Sequence, residues 1–178
     1  MVMKAQQTRL TRLLPKTGQT TVYNPEDDGA DQVGWWRGRT IADNKTRFIA
    51  KTLDGDDVII DLATGLMWVA DFESIGGNEG VAIHWSGALF TGCSLVFAGF
   101  SDWRIPNVLE FMSILNFEET TPALYPDLWR VDPTETYWTS TTYKSFITKA
   151  YCIMINIAAM TFTDKVNTNY MLCVRGGQ

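Results

Sequence analysis

Apolar and polar positions follow two different periods along this chain, and the changes of period divide it. Residues 1–45 keep no period. Pro15, Gly18, Pro25, Asp27, Asp28 and Gly29 interrupt them, which predicts an N-terminal arm of loops ahead of a domain over 46–178. Residues 47–53 read as a strand. Asp54-Gly55 is a strong two-residue hairpin signal, and 58–62 return as the second strand. Ala63-Thr64-Gly65 turns the chain again, and Leu66-Met67-Trp68-Val69 is a short apolar third strand. A Gly-rich loop over 73–80 precedes a helical stripe over 84–97, where Trp85, Ala88, Leu89, Gly92, Cys93 and Val96 share one face. Gly87 and Gly92 weaken that helix by about 1 kcal/mol each.

The chain is organised around residues 99–111. Asn107 is a good helix N-cap and Glu110 stands at the third helical position, a capping box. Pro106 keeps Ile105 extended, so the helix cannot start earlier. Val108, Phe111, Met112 and Leu115 then form one apolar stripe. Trp103 is expected to anchor the core between helices and sheet, as are Trp68 and Trp138 in their strands. Arg104 is expected to make a buried charge-assisted bond that holds the loop. Residues 117–133, polar and carrying three prolines, read as a long surface loop. From 136 onward the pattern is β: a strand over 137–143, and then alternation of Tyr151, Ile153 and Ile155 against Cys152, Met154 and Asn156. A tight turn at 156–158 leads to a strand over 159–163, and 170–175 form the last strand. Strands first, then helices, then an antiparallel meander define an α+β class.

Composition changes little in this picture. The 178 residues suffice for one domain with a sizeable core. Seven Trp, six Tyr and nine Phe are many for this length, and a loop-rich core is the first use for them. A net charge of −5 without a basic run excludes nucleic acid and anionic membrane as main partners. No apolar run reaches the ~18 residues of a membrane span, and the Lys4, Arg9 and Arg12 stretch lacks the apolar core of a signal peptide. One His and three Cys without C-x-x-C spacing argue against a metal site, and no cofactor is expected. The cysteines allow at most one internal disulfide, or three buried thiols. Asp54, Asp56 and Asp57 lack the spacing of a calcium loop and read as turn chemistry. Leu14-Pro15-Lys16-Thr17-Gly18 spells a sortase-type anchoring signal, but far from the C-terminal position such a signal needs, so the match is accidental.

In order, Asp61-Leu62-Ala63-Thr64-Gly65-Leu66-Met67-Trp68, Trp85…Cys93, Ser101-Asp102-Trp103-Arg104-Ile105-Pro106-Asn107…Glu110, Tyr137-Trp138-Thr139-Ser140-Thr141 and Cys173-Val174-Arg175-Gly176-Gly177 resemble the Legionella collagen-like protein C-terminal domain family. The resemblance spans about residues 50–177. It implies a C-type-lectin-like fold, with two helices packed on antiparallel sheets, and a bacterial or phage origin. The extracellular space, cell surface or virion are the expected locations. The name-giving member is an adhesin that binds sulfated polysaccharides. The lectin-like topology also implies one disulfide, Cys93 to Cys173, with Cys152 spare. There is no Glu-Pro-Asn signature, so a calcium-bridged sugar site is not expected.

Candidate chemistry points to recognition. His84 is the only histidine, no Gly-x-Ser-x-Gly elbow is present, and a cap or surface role suits it best. Carboxylates for glycoside cleavage could come from Glu110, Glu118, Glu119 or Glu135, but nothing pairs any two. The expected ligand surface is Tyr143, Lys144, Lys165, Asn167, Asn169 and Tyr170, where Tyr and Asn supply stiff contact area and adaptable hydrogen bonds near strand ends. The doubled Trp35-Trp36 suits packing on the domain or on a neighbouring subunit. The expectation is a non-enzymatic module that binds a glycan or protein ligand at a bacterial surface or phage tail tip, with trimeric assembly by analogy. The alternatives are a carboxylate-dependent glycan-processing enzyme and a structural spacer without ligand.

Overall fold

Strand β1 (Phe48–Leu53) turns through Asp54 and Gly55, at φ 50° and 92°, into β2 (Asp56–Asp61). Both turn residues are left-handed, the type I′ geometry that matches strand twist and favours Asp-Gly. β3 (Leu66–Val69) follows, and β9 (Val174–Arg175) closes the antiparallel sheet in the order β1-β2-β3-β9. A second sheet has the order β5-β6-β7, from β5 (Thr136–Thr142), β6 (Lys149–Met154) and β7 (Ala159–Asp164). β4 (Ile83–His84) pairs with β8 (Thr168–Asn169). The helices are short: α1 (Asp28–Asp31), α2 (Trp85–Ser94) and α3 (Val108–Ser113). This computed structural model describes residues 14–32, 34, 47–71, 73, 75, 81–125 and 127–176. The Trp35-Trp36 pair and most of the 73–80 loop lie outside them. The architecture is α+β with antiparallel sheets.

Neighbouring residues in the strands feed two separate apolar clusters. Ile59, Trp68, Tyr137, Ile153, Leu172 and Val174 enter one, with Phe48 and Phe111. Val58, Val69, Trp138, Cys152, Met171 and Cys173 enter the other, with Trp103 and Ile105. Successive side chains of a strand point to opposite faces, so these segments are buried on both sides. That is why they read as continuous apolar runs.

The 99–111 segment ties the clusters together. Asn107 Oδ1 accepts from the N–H groups of Leu109 and Glu110, and Glu110 Oε2 accepts from Asn107 N–H, a complete capping box. Arg104 donates to both Glu110 oxygens, at 2.7 Å each, and to the Gly176 carbonyl at 3.1 Å. Glu110 holds the guanidinium above its ordinary pKa. The Arg104 backbone pairs with Val174. Gly92 allows that approach, since a Cβ there would stand 3.0 Å from Ile105 N. The glycine that weakens α2 thus sits where packing leaves little room for a side chain.

Two sequence expectations need correction. Residues 117–133 are not a surface loop: Ala123, Leu124, Tyr125 and Trp129 are buried, and Phe48 packs on Tyr125 and Trp129 at ring distances of 5.1 and 5.0 Å. Their backbone finds partners inside, as where Asn116 N–H donates to Ala123 and Arg130 N–H to Ala70. The 170–175 strand is broken. Tyr170 pairs with Tyr137, and only Val174 and Arg175 join the other sheet. The described part of the arm is docked: Phe117 N–H donates to Thr17, and Glu118 accepts from the N–H groups of Thr20 and Thr21 and the Thr21 hydroxyl.

The buried pair Arg47–Asp61 joins the start of β1 to the end of β2. Arg47 donates from Nε and Nη2 to the two Asp61 oxygens, at 2.9 and 2.8 Å, and from Nη2 to the Ser113 carbonyl at 2.7 Å. Both side chains are fully buried. Asp61→Ala leaves an uncompensated buried charge and is expected to cost about 3–5 kcal/mol, read as a lower midpoint in urea unfolding. Glu118 gives a second prediction. The bonds from Thr21 and Thr20 hold its carboxyl at about 2, below the ordinary 4.5. A lowered folded pKa means the stabilisation is full above pH 4.5 and lost as pH falls toward 2. Glu118→Ala is expected to release the arm at neutral pH, seen as faster proteolytic cleavage between Thr20 and Gln32 with the core intact.

Candidate functional site

The ends of two turns meet at one extremity of the β5-β6-β7 sheet. The turn over 143–148 is closed by main-chain bonds from Tyr143 N–H to Lys149 and from Phe146 N–H to Tyr143, at 2.9 and 3.1 Å. Lys165 N–H donates to the Thr148 carbonyl at 2.8 Å, which brings the 164–167 turn alongside. Tyr151 and Phe162 are directly opposed across β6 and β7 and share a face. Tyr143 lies over them, stacked on Phe162 with centroids 4.2 Å apart and planes 10° apart, and edge-on to Tyr151 at 5.3 Å. Phe146 adds a fourth ring at 6.0 Å from Tyr143. Lys149 Nζ lies 5.5 Å from the Phe162 centroid and 3.8 Å from Asp164. Phe146 is 60% exposed and Phe162 43%, so this cluster faces water and is not core.

The opposite face of the same sheet end, where Thr142 and Thr163 flank Ala150, carries a polar group. Lys165 Nζ lies 3.9 Å from the Trp85 ring centroid and donates to Thr142 Oγ1 at 2.8 Å. Trp85 is held in turn by its Nε1–H to the Thr139 carbonyl. Asn167 Nδ2 donates to Thr163 Oγ1 at 2.8 Å, and the Asn167 carbonyl lies 3.4 Å from His84 Nδ1. His84 is the N-cap of α2 without a side-chain capping bond. The sheet end thus offers flat apolar rings on one face, with the Lys149–Asp164 pair beside them, and hydroxyl, amide and ammonium groups on the other. Flat exposed rings supply contact area, and the polar groups supply donors and acceptors.

Tyr143, Lys144, Lys165 and Asn167 come together at these turns. Asn169 and Tyr170 do not. Asn169 Nδ2 points inward to Cys152 Sγ at 3.7 Å, and the Tyr170 ring packs 5.9 Å from Tyr137. Burial and the nearby Glu135, Asp132 and Glu73 raise the Tyr170 hydroxyl. Phe146, Lys149, Tyr151, Phe162 and Trp85 were not among the sequence candidates. The readable signal was register: with β6 and β7 joined by a tight turn, Phe162 must oppose Tyr151.

The structural residues sit in the scaffold. Trp103 Nε1–H donates to Phe97 at 2.9 Å, Trp138 Nε1–H donates to Ile83 at 2.7 Å, and the Trp68 ring lies 6.3 Å from Phe111. The cysteines are free thiols: Cys93 is exposed on α2, while Cys152 and Cys173 are buried. Burial pushes both buried thiols up to about 12. Cys93 and Cys173, the pair implied by the resemblance, are both unbonded here. Of the acidic turn residues, Asp56 accepts from Ala98 N–H, and Asp57 accepts from Thr52 and Arg130. Among the described residues no group of His, Cys, Asp and Glu could hold a metal ion.

The family model of the Lcl C-terminal domain matches residues 57–175, and the chain belongs to that family. No curated protein matches it. The thiols yield a direct prediction. Iodoacetamide under native conditions is expected to modify Cys93 alone, with Cys152 and Cys173 reacting only after denaturation, as resolved by peptide mass spectrometry.

Proposed function

We propose that this chain is a non-enzymatic recognition module that binds a glycan or protein ligand through its hairpin tips. Its setting is a bacterial surface or a phage tail tip, as the resemblance implies. The observation that carries the reading is the water-exposed Tyr143–Phe162 stack at the end of a rigid sheet. Such rings give large contact area at little ordering cost. A sugar ring fits this site well, because its apolar C–H face can lie on the rings. Its hydroxyls can then bond to Lys149 and Asp164, which lie beside the Phe162 ring. The lectin-like topology belongs to the same proposal. Its support is the last strand returning to pair with β3.

The glycan-processing alternative draws less support. Glu110 is engaged by Arg104 and its own capping box, and Glu118 by the arm. Neither is left to protonate a leaving group. Among the described residues no helix is long and apolar enough to cross a membrane.

A glycan array probed with the whole chain tests the reading. Binding is expected without turnover of the retained glycan. Tyr143→Ala and Phe146→Ala are each expected to weaken it about tenfold or more, while the thermal midpoint moves little. Retained binding in both variants, or release of a shortened glycan, would sink it.

A further inference from the structure

β7 has a free edge. In the β5-β6-β7 order it is outermost. Thr148 accepts from Lys165 N–H, so even-numbered residues of β6 and odd-numbered residues of β7 face each other. The main-chain groups of Met160 and Phe162 and the N–H of Asp164 therefore point outward. The Asp164 carbonyl accepts from Asn167 in the turn. An open row of donors and acceptors is a template for another strand, and natural edges are blunted by proline, lysine or a bulge. β7, Ala159-Met160-Thr161-Phe162-Thr163-Asp164, carries no proline, lysine or register shift. The irregularity in this sheet lies between Trp138 and Thr142 of β5 instead.

We propose that this edge pairs with the same edge of a second copy, antiparallel about Phe162, to make one continuous sheet across a twofold axis. The strand is self-complementary in that register. Thr161-Phe162-Thr163 reads the same in both directions, so Phe162 faces the partner's Phe162 and Thr161 faces the partner's Thr163. Both are favourable cross-strand pairs. Phe162 exchanges its two main-chain bonds with the partner's Phe162. The Asp164 N–H reaches the carbonyl of the partner's Met160. Asp164 faces no like charge. Exposed apolar residues at the two ends of the strand, Ile157 at 59% and Val166 at 76%, come to neighbouring positions across the axis. The Tyr143–Phe162 stacks of the two copies join into one platform. A six-residue edge buries less than the ~1,600 Å² of a standard interface, so the dimer is concentration-dependent. This twofold pairing differs from the threefold assembly expected by analogy. It is also independent of whether the rings bind a glycan.

Sedimentation equilibrium of the whole chain, from low-micromolar to near-millimolar concentration, tests it. A monomer–dimer equilibrium is expected. At nine-tenths dimer, exchange of the Met160, Phe162 and Asp164 amide protons is expected to slow about tenfold relative to the dilute monomer. Phe162→Lys and Phe162→Glu, each alone, place like charges together and are expected to be monomeric; their mixture is expected to dimerise. A monomer at every concentration, a trimer, a dimer with unprotected β7 amides, or a mixture that stays monomeric would each overturn the proposal. Ligand binding by the monomer would survive any of these results.

Discussion

The fold depends on a charge that cannot leave. Arg47 and Asp61 are both sealed from water. Removing two ions from water costs several kcal/mol each, recovered only if their bonding capacity is filled. Asp61 meets that condition with bonds from Arg47, from Ala63 N–H and from the Thr64 hydroxyl. Arg47 adds the Ser113 carbonyl at the end of α3 and lies 4.4 Å over the Phe48 ring. Three distant stretches are thereby fixed at one point: the start of β1, the β2–β3 turn and the last turn of α3. Phe48 then supports Tyr125 and Trp129, so the buried course of the 117–133 segment follows from the same anchor.

A second charged pair works at the opposite end of α3. Arg104 and Glu110 are half-buried and doubly bonded, and the pair draws in the Gly176 carbonyl. Since Arg104 also pairs through its backbone with Val174, the stretch before α3 acts as a further edge to the first sheet. α3 is only six residues long, too short to be stable by itself. Its two ends are held by Arg104 and Arg47, and its middle by Phe111 in the core. The short helix owes its place to these ties, with its own capping box as the local contribution.

What the sequence revealed was whatever is decided within a few residues. The Asp54-Gly55 turn, the Asn107–Glu110 box and the β1, β2 and β3 strands depend on near neighbours, and the structure has them. The 117–133 segment was hidden because its apolar residues keep no period among prolines and acids. Their partner, Phe48, lies far back in the chain. Arg47 and Asp61 were hidden for the same reason: each reads as a strand-end polar residue until the hairpin brings them together. At the candidate site, Tyr143 and Lys165 were legible as polar or aromatic residues at turns. Phe162 was not, since alternation with threonine is also how a half-buried strand reads. Tyr170 misled because a continuous last strand places it at an end, whereas the break turns its ring onto Tyr137.

The two clusters also explain why the exposed rings lie where they do. β5 and β6 are buried on both faces near Tyr137, Trp138, Cys152 and Ile153, which the helices, the first sheet and the 117–133 segment cover. That cover ends before the 143–148 turn. β7 lies beyond both clusters, and none of its six residues is buried. A strand that buries nothing contributes little hydrophobic stabilisation, and a solvent-facing Met and Phe are a liability for solubility. Its cohesion rests on the ladder to β6 and on the Tyr143 stack. Phe162 supplies that stack, whereas a polar β-former at Met160 would satisfy the same ladder. A bound ligand or a second copy, as proposed, would cover both side chains and remove that liability.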